Sequence, residues 1–339
     1  MSDQELTRPF VLDLVRVTEA AALRASRWLG RGEKEQADQA AVDAMRGMLD
    51  YLAMDATVVI GEGAKDRAPM LAVGERVGQR TAGLPRLEIA VDPLDGTTLI
   101  SKGLPNAICV IALAAPESFQ SLPCAYVNKL AGGPALRGEL DIHRPIAETL
   151  RRAAKRLDKE ISDLLVTVLD RPRHEQLIAD IRQVGARIRL ITDGDIAGAI
   201  ATSIELQEGS SDLYVGVGGA PEGVLAAVAF KCLGGELQAT VWPRDASERK
   251  ELAARGVAVD RVYTQDDLVR GDSAILAATG VSGGYFLRGV DYLGAQARTH
   301  SLVMRVATQT VRIVTGLHRL EVKTVPSSLA RQEVRIRAE

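Results

Sequence analysis

The sequence has few aromatic residues and few cysteines. Only 4% of its 339 residues are aromatic, which disfavours the base-stacking platforms of single-stranded nucleic-acid binders. Cys109, Cys124 and Cys232 are odd in number and widely separated, so they predict free thiols rather than a disulfide framework or a cysteine zinc site. The four histidines show no HxxxH spacing, which likewise disfavours a histidine metal site.

Long apolar runs and an excess of one charge are also missing. The apolar stretch around Ala107–Ala115 is much shorter than the roughly 20 residues that span a bilayer, so no membrane association is expected. Lys and Arg total 42 against 44 Asp and Glu, which argues against a general nucleic-acid-binding surface. The first residues are acidic and lack the basic and apolar regions of a secretory signal, so we expect a cytoplasmic protein.

The length of 339 residues favours two domains, with one large sheet as the alternative, and the hydrophobic pattern predicts an α/β protein. Apolar residues recur at helical spacing from Phe10 to Leu29, and β-branched or apolar runs at 57–60, 87–91 and 108–113 predict strands. Between residues 164 and 233 strand and helix patterns alternate, which indicates a sheet that is at least partly parallel. Alternation on both sides of residue 308 predicts a C-terminal hairpin, and a Pro-, Gly- and Ser-rich stretch places a domain boundary near Gly138.

Carboxylates follow several of the predicted strands. Glu62, Asp92 and Glu222 each come after a strand, and Asp95 is three residues beyond Asp92. Ligands of open α/β sheets collect at the carboxyl ends of strands, and acids gathered there repel one another unless a cation neutralises them. Oxygen donors of this kind suit hard divalent cations, so the pattern predicts Mg²⁺ or Mn²⁺.

The segment from Asp92 to Thr97 carries the strongest local signal. Pro93 favours an extended Asp92, Asp95 returns after a tight turn, and Gly96 allows a ligand to approach the backbone closely. The Thr97 hydroxyl can orient a water molecule. The competing interpretation is a turn in which Asp95 or Thr97 merely caps a helix.

Three further segments permit two interpretations each. The glycine-rich segment ending at Glu222 fails as a dinucleotide motif because Pro221 replaces its third glycine, and Glu222 is either a metal ligand or a helix-start acid. The basic segment Arg171–His174 fits either phosphate binding or a solvated loop. The segment Asp193–Asp195 could cap a helix or bind sugar hydroxyls.

Taken together, these motifs resemble those of a known family. The sequence is similar to the class II fructose-1,6-bisphosphatases, the GlpX family of the lithium-sensitive, metal-dependent sugar phosphatase superfamily. The matching segments, in family order, lie at residues 28–34 with 37–38, 59–63 with Asp66 and 68–71, 91–97, 171–174, 193–195, 218–223 and 278–280.

The resemblance implies a layered α/β sugar-phosphatase fold with the active site between two α/β subdomains. A metal-binding domain would span residues 1–138, a substrate-binding domain residues 139–339, and the chain would form homodimers or homotetramers. The implied metal ligands are Asp38, Glu62, Asp92, Asp95 and Glu222. The implied catalytic residues are Thr97, Asp95 and Glu62. The implied substrate contacts are Asp95, Gly96, Thr97, Tyr126, Arg171, Pro172, Arg173, Asp193, Gly194, Asp195 and Gly219.

These features predict a Mg²⁺- or Mn²⁺-dependent hydrolase that removes the 1-phosphate from fructose 1,6-bisphosphate in gluconeogenesis. Three departures from the family pattern bear on the substrate: the altered surroundings of Tyr126, the change to Gly271-Asp272-Ser273, and Asp95 where many relatives have Glu. Sedoheptulose 1,7-bisphosphate or another sugar phosphate is therefore the alternative substrate. A catalytically inactive sugar-phosphate-binding relative is the more distant alternative.

Overall fold

The computed structural model describes residues 3–61, 70–206, 209–329 and 332–335. The helices are α1 Asp3–Thr7, α2 Val11–Ala25, α3 Lys34–Leu49, α4 Thr97–Lys102, α5 Ile146–Leu157, α6 Glu175–Val184, α7 Asp195–Ile200, α8 Ala220–Leu233, α9 Ala246–Ala254 and α10 Gln265–Leu268. The strands are β1 Asp55–Ile60, β2 Arg76–Val77, β3 Arg86–Asp95, β4 Ile108–Ala114, β5 Tyr126–Gly132, β6 Leu165–Leu169, β7 Arg187–Ile191, β8 Leu213–Gly219, β9 Glu236–Val241, β10 Tyr263–Thr264, β11 Ile275–Gly280, β12 Asp291–Leu293, β13 Gln296–Arg305, β14 Thr310–Arg319, β15 Thr324–Ser327 and β16 Gln332–Arg335.

The chain divides into two compact units, and the first takes both ends of the chain. Unit 1 comprises Met1–Phe119 with Gly271–Glu339, and unit 2 comprises Gln120–Arg270. The sequence predicted a single boundary near Gly138 instead. The division differs because β11 pairs antiparallel with β4 across more than 150 residues of intervening chain, which returns the C-terminal segment to the first sheet. No local pattern in the sequence reports such a long-range pairing.

Unit 1 is built on a mixed sheet. Its strand order is β12-β13-β11-β4-β3-β1-β2, with β14 paired to β13. Strand β1 runs parallel to β3, while β3, β4, β11 and β13 alternate in direction. Helices α2 and α3 pack against each other and against this sheet, because their apolar residues recur on one side of each helix. The predicted C-terminal hairpin is confirmed as β13 and β14.

The helices of unit 1 begin and end close to where the pattern placed them. The first predicted helix, over residues 10–29, is α2 followed by a 3₁₀ turn at Ser26–Trp28. The next long helix, α3, begins at Lys34, so Asp38 lies one turn inside it. Asp38 is half-buried on this helix, which packs against β3.

Unit 2 has a smaller mixed sheet of order β10-β9-β5-β8-β6-β7. Strands β6, β7 and β8 are parallel, as the alternating strand and helix pattern predicted, whereas β5 runs antiparallel to both neighbours. Helices α5 and α6 cover one face through an apolar cluster that includes Leu130, Leu150, Ile178 and Val215. Helix α8 packs against β5, β8 and β9. The α/β fold class predicted from the sequence is confirmed.

All three cysteines are free thiols, with Cys109 and Cys232 buried. No helix in the described part of the chain is both long and apolar enough to cross a bilayer.

Candidate active site

The carboxylates of unit 1 gather where β3 ends. Strand β3 continues through Pro93 to Asp95, four residues beyond the predicted end, with a shift in its pairing to β4 between Asp92 and Asp95. Asp92 Oδ1 accepts a hydrogen bond from Leu94 N–H at 3.2 Å, which is an Asx-type turn at the irregularity. Asp95 is buried and Asp92 is half-buried. The irregularity therefore presents two carboxylates at one end of the strand.

Asp38 approaches the same region from α3. Cys109 on β4 is fully buried, and burial is the main cause that raises the pKa of its thiol. The negative charges of Asp92 and Asp38 raise this pKa further. Two of the predicted metal ligands therefore act electrostatically on one thiol, although they come from different elements of unit 1.

Thr97 follows Gly96, whose left-handed backbone conformation favours glycine. Gly96 occupies the N-cap position of α4 with φ of +99°, and Thr97 is the first residue of the helix. A Cβ atom at residue 96 would lie 2.8 Å from Leu99 Cδ1, so this tight turn requires glycine. Neither Asp95 nor Thr97 holds the cap position, which removes the simplest form of the helix-cap interpretation.

The described residues do not by themselves complete a metal site. Across 3–61, 70–206, 209–329 and 332–335, no three His, Cys, Asp or Glu side chains converge closely enough to hold a metal ion. Glu62, predicted both as a ligand and as a catalytic residue, lies outside these ranges, as does Asp66. Of the other predicted ligands, Asp38, Asp92 and Asp95 belong to unit 1, and Glu222 belongs to unit 2.

Glu222 lies in the first turn of α8 and folds back over the end of β8. Gly219 is the N-cap residue, and a Cβ atom there would collide with Glu222 Oε2. This oxygen is shielded from solvent and accepts no hydrogen bond from any described group. Burial raises the pKa of Glu222, Lys129 opposes that change, and Asp195 and Asp193 reinforce it. The carboxylate thus has a buried oxygen whose hydrogen-bonding capacity the described groups do not use.

Lys129 is the central cation of unit 2, and the sequence reasoning missed it. Its side chain is 1% exposed, forms an ion pair with Asp195 and donates to the Gly219 carbonyl at 3.1 Å. Tyr214 O–H donates to the other carboxylate oxygen of Asp195. The only sequence signal was a lysine in the apolar strand pattern of β5, opposite the glycines of β8. Gly218 must lack a side chain because a Cβ atom would meet the Asp195 carboxylate.

The segment 193–195 has a structural role in the interior of unit 2, besides its predicted role in binding the substrate. Gly194 is the N-cap residue of α7 with φ of +83°, and Asp195 is the first residue of that helix. Because Lys129 and Tyr214 engage both carboxylate oxygens, Asp195 is fixed in place. Its contact with a sugar hydroxyl stays a prediction.

Arg173 lies among aromatic rings and a backbone carbonyl. It follows β6 in a 3₁₀ turn over Pro172–His174, and its Nε and Nη2 donate to the Val217 carbonyl at 3.2 and 2.7 Å. The guanidinium lies 5.3 Å from the ring centroid of Tyr126 and 6.0 Å from that of Trp242. The structure thus brings the predicted residues Tyr126 and Arg173 together and adds Trp242, which the sequence did not suggest.

The remaining predicted contacts lie on the same part of unit 2. Arg171 is half-buried and donates to the Asp170 carbonyl at 2.9 Å. A cavity of about 360 Å³ opens beside Arg173 and Trp242 and is also lined by Asn128 and Arg144. Arg144 already pairs with Asp141 and Glu148, at 3.3 and 3.1 Å, so Arg173 is the better placed of the two arginines for an anionic ligand.

Comparisons with known proteins agree with these motifs. The family model described as bacterial fructose-1,6-bisphosphatase, glpX-encoded, matches residues 8–318. The chain belongs to this family. It is 44% identical over 330 residues to the fructose-1,6-bisphosphatase class 2 of Haemophilus influenzae, covering 93% of this chain and 98% of that protein. It is 39% identical over 331 residues to the fructose-1,6-bisphosphatase 1 class 2 of Escherichia coli, covering 94% and 97%.

Membership of the GlpX family confirms the resemblance and makes the chain a phosphoric monoester hydrolase. The assignment carries with it the metal-dependent catalysis expected of that family. The donor set of this chain fits such a metal, since the predicted ligands are all carboxylates and Glu222 offers a buried oxygen without a hydrogen bond among the described groups. The individual roles of the site residues stay predictions.

Proposed function

We propose that this chain hydrolyses the C1 phosphate ester of fructose 1,6-bisphosphate, giving fructose 6-phosphate and inorganic phosphate. The observation that carries the proposal is the nearly full-length match to proteins named for this activity. The acids at 38, 62, 92, 95 and 222 and the arginines at 171 and 173 support it, because such a substrate brings several negative charges.

We assign the divalent cation, Mg²⁺ or Mn²⁺, to Asp38, Glu62, Asp92, Asp95 and Glu222. A cation bound there supplies electrostatic stabilisation of the phosphate oxygens and makes water a stronger nucleophile. Glu222 Oε2, which has no hydrogen bond within the described ranges, supports this assignment in unit 2, and the proximity of Asp38 and Asp92 to Cys109 supports it in unit 1.

Thr97 has the role of orienting the attacking water. Its position directly after Gly96, at the start of α4, fixes the hydroxyl relative to the end of β3. In this proposal one carboxylate, Asp95 or Glu62, accepts the proton that the water loses, and this proton passes to the departing C1 oxygen. The water attacks phosphorus directly and the C1 oxygen leaves, so no covalent phosphoenzyme forms.

Unit 2 supplies most of the proposed substrate contacts. Arg171 and Arg173 bind the phosphate that does not react, with Pro172 fixing the turn between them and the Tyr126 ring beside Arg173. Sugar hydroxyls and the reacting end contact the segments Asp95–Thr97 and Asp193–Asp195 and the backbone of Gly219. The contacts of Arg171 and Arg173 with the non-reacting phosphate are remote from the breaking bond. They therefore chiefly supply binding energy that the ground state and the transition state share.

A phosphate-release assay tests the proposal. The enzyme should hydrolyse fructose 1,6-bisphosphate with Mg²⁺ or Mn²⁺ and stop in excess chelator, and hydrolysis in H₂¹⁸O should place the label in inorganic phosphate. Phosphate release that continues undiminished in excess chelator would contradict the proposal. A pre-steady-state burst of fructose 6-phosphate, the sign of a phosphoenzyme, would also contradict it.

The altered segment around Tyr126 favours one second candidate, sedoheptulose 1,7-bisphosphate. Asn128 of that segment lines the cavity beside Arg173. A longer sugar bound there would contact this part of the cavity differently from a shorter one. Comparing kcat/KM over C3 to C7 sugar mono- and bisphosphates, each with both metals, decides between the substrates and identifies the preferred metal.

Assembly and location are separate questions from the chemistry. We infer from the resemblance that the chain forms homodimers or homotetramers in the cytoplasm and needs no nucleic acid or membrane. Light scattering on the purified protein tests the assembly, and a single species of monomer mass would contradict it.

A further inference from the structure

His174 is a buried imidazole with both ring nitrogens engaged by backbone. The residue is 2% exposed. Its Nδ1 lies 2.6 Å from the Leu169 carbonyl, and its Nε2 lies 2.7 Å from Val217 N. Because a backbone N–H can only donate, Nε2 must accept and Nδ1 must carry the proton. The ring is therefore neutral, in the Nδ1–H tautomer.

Arg173 also binds Val217 of β8, at the carbonyl group rather than at the N–H. Val217 offers its N–H to His174, and its carbonyl accepts from Arg173 Nε and Nη2. The parallel pairing of β6 with β8 joins only Val166 to Leu213 and Thr167 to Tyr214. Beyond Tyr214, two side chains from the turn after β6, His174 and Arg173, form hydrogen bonds with the backbone of β8 in place of the strand pairing.

Gly216 allows the imidazole to lie against the strand. A Cβ atom at residue 216 would be 3.0 Å from both Cε1 and Nε2 of His174. Its φ of +138° is also a conformation that residues with a side chain rarely adopt. The glycine and the histidine are therefore complementary parts of one contact.

We propose that His174 is a positioning residue that fixes the arginine turn, Arg171–Arg173, on the end of β8. Strand β8 ends at Gly219, and α8, which carries Glu222, begins at the next residue, so His174 sets the arginines relative to these residues. This inference rests on the proposed function for the role of Arg173. In this role the histidine acts through the arginine turn and not on the reacting groups.

Two substitutions separate the ring's two hydrogen bonds. His174→Asn keeps a donor near Nδ1 for the Leu169 carbonyl and loses the acceptor for Val217 N–H. His174→Gln reaches the Nε2 position, where its amide oxygen can accept from Val217 N–H. We expect Asn to raise KM for fructose 1,6-bisphosphate about tenfold, as for the loss of about one buried hydrogen bond, with a smaller change in kcat. We expect Gln to restore KM to within about threefold of the wild type.

A control and two readouts independent of turnover complete the test. His318→Asn replaces a half-buried histidine of unit 1 and should leave KM unchanged. Calorimetric titration with inorganic phosphate should show the same order of affinities: wild type, Gln, then Asn. On the wild type, ¹⁵N NMR should show His174 with a protonated Nδ1 and an unprotonated Nε2.

The outcomes distinguish this inference from the proposed function. If the wild type does not hydrolyse fructose 1,6-bisphosphate, the proposed function fails, and phosphate affinity still reports the positioning role. Equal KM and phosphate affinity in wild type and Asn variant would overturn the positioning role, as would an Asn defect that Gln does not relieve. A proton on Nε2 in the wild type would overturn it even if both variants failed to fold.

Discussion

Glu19 of unit 1 and Glu222 of unit 2 are both carboxylates whose pKa is raised by burial, and both lie over a glycine. A Cβ atom at Gly316 would lie 2.5 Å from Glu19 Oε1, just as one at Gly219 would collide with Glu222. Their partners differ. Glu19 Oε1 accepts from Thr299 Oγ1 at 2.9 Å, whereas Glu222 Oε2 has no hydrogen bond among the described groups. Burial alone therefore does not distinguish the two acids, whereas their hydrogen bonding among the described groups does.

The surroundings reinforce this distinction. Thr299 Oγ1 also lies 2.8 Å from His318 Nε2, so Glu19, Thr299 and His318 form a closed chain of hydrogen-bonding groups, which we call the Glu19 network. Around Glu222, Lys129 and Tyr214 saturate Asp195 and leave Glu222 Oε2 without a hydrogen bond. We interpret the Glu19 network as structural and Glu222 as a ligand.

The largest expected effect comes from removing each carboxylate in turn. Glu222→Gln should abolish measurable phosphate release and leave the free energy of unfolding of the metal-free protein unchanged or raised, since an unpaired buried charge is lost. Glu19→Gln should retain activity. Assays of both variants with a denaturant titration check this. Full activity in Glu222→Gln, or its loss in Glu19→Gln, would erase the contrast.

Two threonines offer the same contrast in hydroxyl chemistry. Thr97→Val should lower kcat by about 10²–10⁴-fold with little change in KM, and Thr97→Ser should retain much of the activity. Thr299→Val should leave kcat nearly unchanged but lower the free energy of unfolding by about 1–3 kcal/mol, because Glu19 and His318 lose a buried partner. An unchanged kcat in Thr97→Val would remove Thr97 from the chemistry.

Lys129 supplies the next effect, on stability. Lys129→Met should lower the free energy of unfolding by about 3–5 kcal/mol because Asp195 would remain buried without its cation. The double variant Lys129→Met, Asp195→Asn should recover part of this loss. Urea titrations of the single and double variants measure the coupling. A single-variant loss below about 1 kcal/mol would mean that the pair is not a fixed part of unit 2.

The smallest effect is the pH dependence of the Glu19 network. Burial lowers the pKa of His318 to about 4, so between pH 6.5 and 4 the unfolded chain binds the proton more readily. His318 should therefore cost stability, on the order of 2 kcal/mol, as pH falls through this window. Glu19, with its raised pKa, acts in the opposite direction.

Comparing wild type with His318→Asn isolates the histidine, because Glu19 is present in both. The slope of unfolding free energy against pH should be flatter in the variant between pH 6.5 and 4. Identical slopes would show that His318 titrates alike in the folded and unfolded states.

Local pattern was sufficient for much of the fold and for the residue types of the site. Alternation at 302–306 and 311–313 predicted the hairpin β13 and β14, and β-branched runs predicted β1 and β3. The return of the chain to unit 1 at Gly271 depends on the pairing of β11 with β4, which no local window contains.

Two polar residues escaped prediction for a related reason. Lys129 in β5 and His174 after β6 make their contacts with Asp195, Gly219 and Val217, which are 43 to 90 residues away. Motif reasoning identified the loops on which ligands are expected. It could not identify the side chains that hold those loops together, since their partners, the Asp195 carboxylate and the backbone of Gly219 and Val217, are distant in the sequence.

Direct titration of Mn²⁺ into the substrate-free protein tests the central claim, that Glu222 is a metal ligand and Glu19 is not. Calorimetry on wild type, Glu222→Gln and Glu19→Gln should show affinity reduced at least about tenfold, or one fewer site, in Glu222→Gln alone. Glu19→Gln should bind like the wild type. Unchanged Mn²⁺ affinity and stoichiometry in Glu222→Gln would contradict the claim.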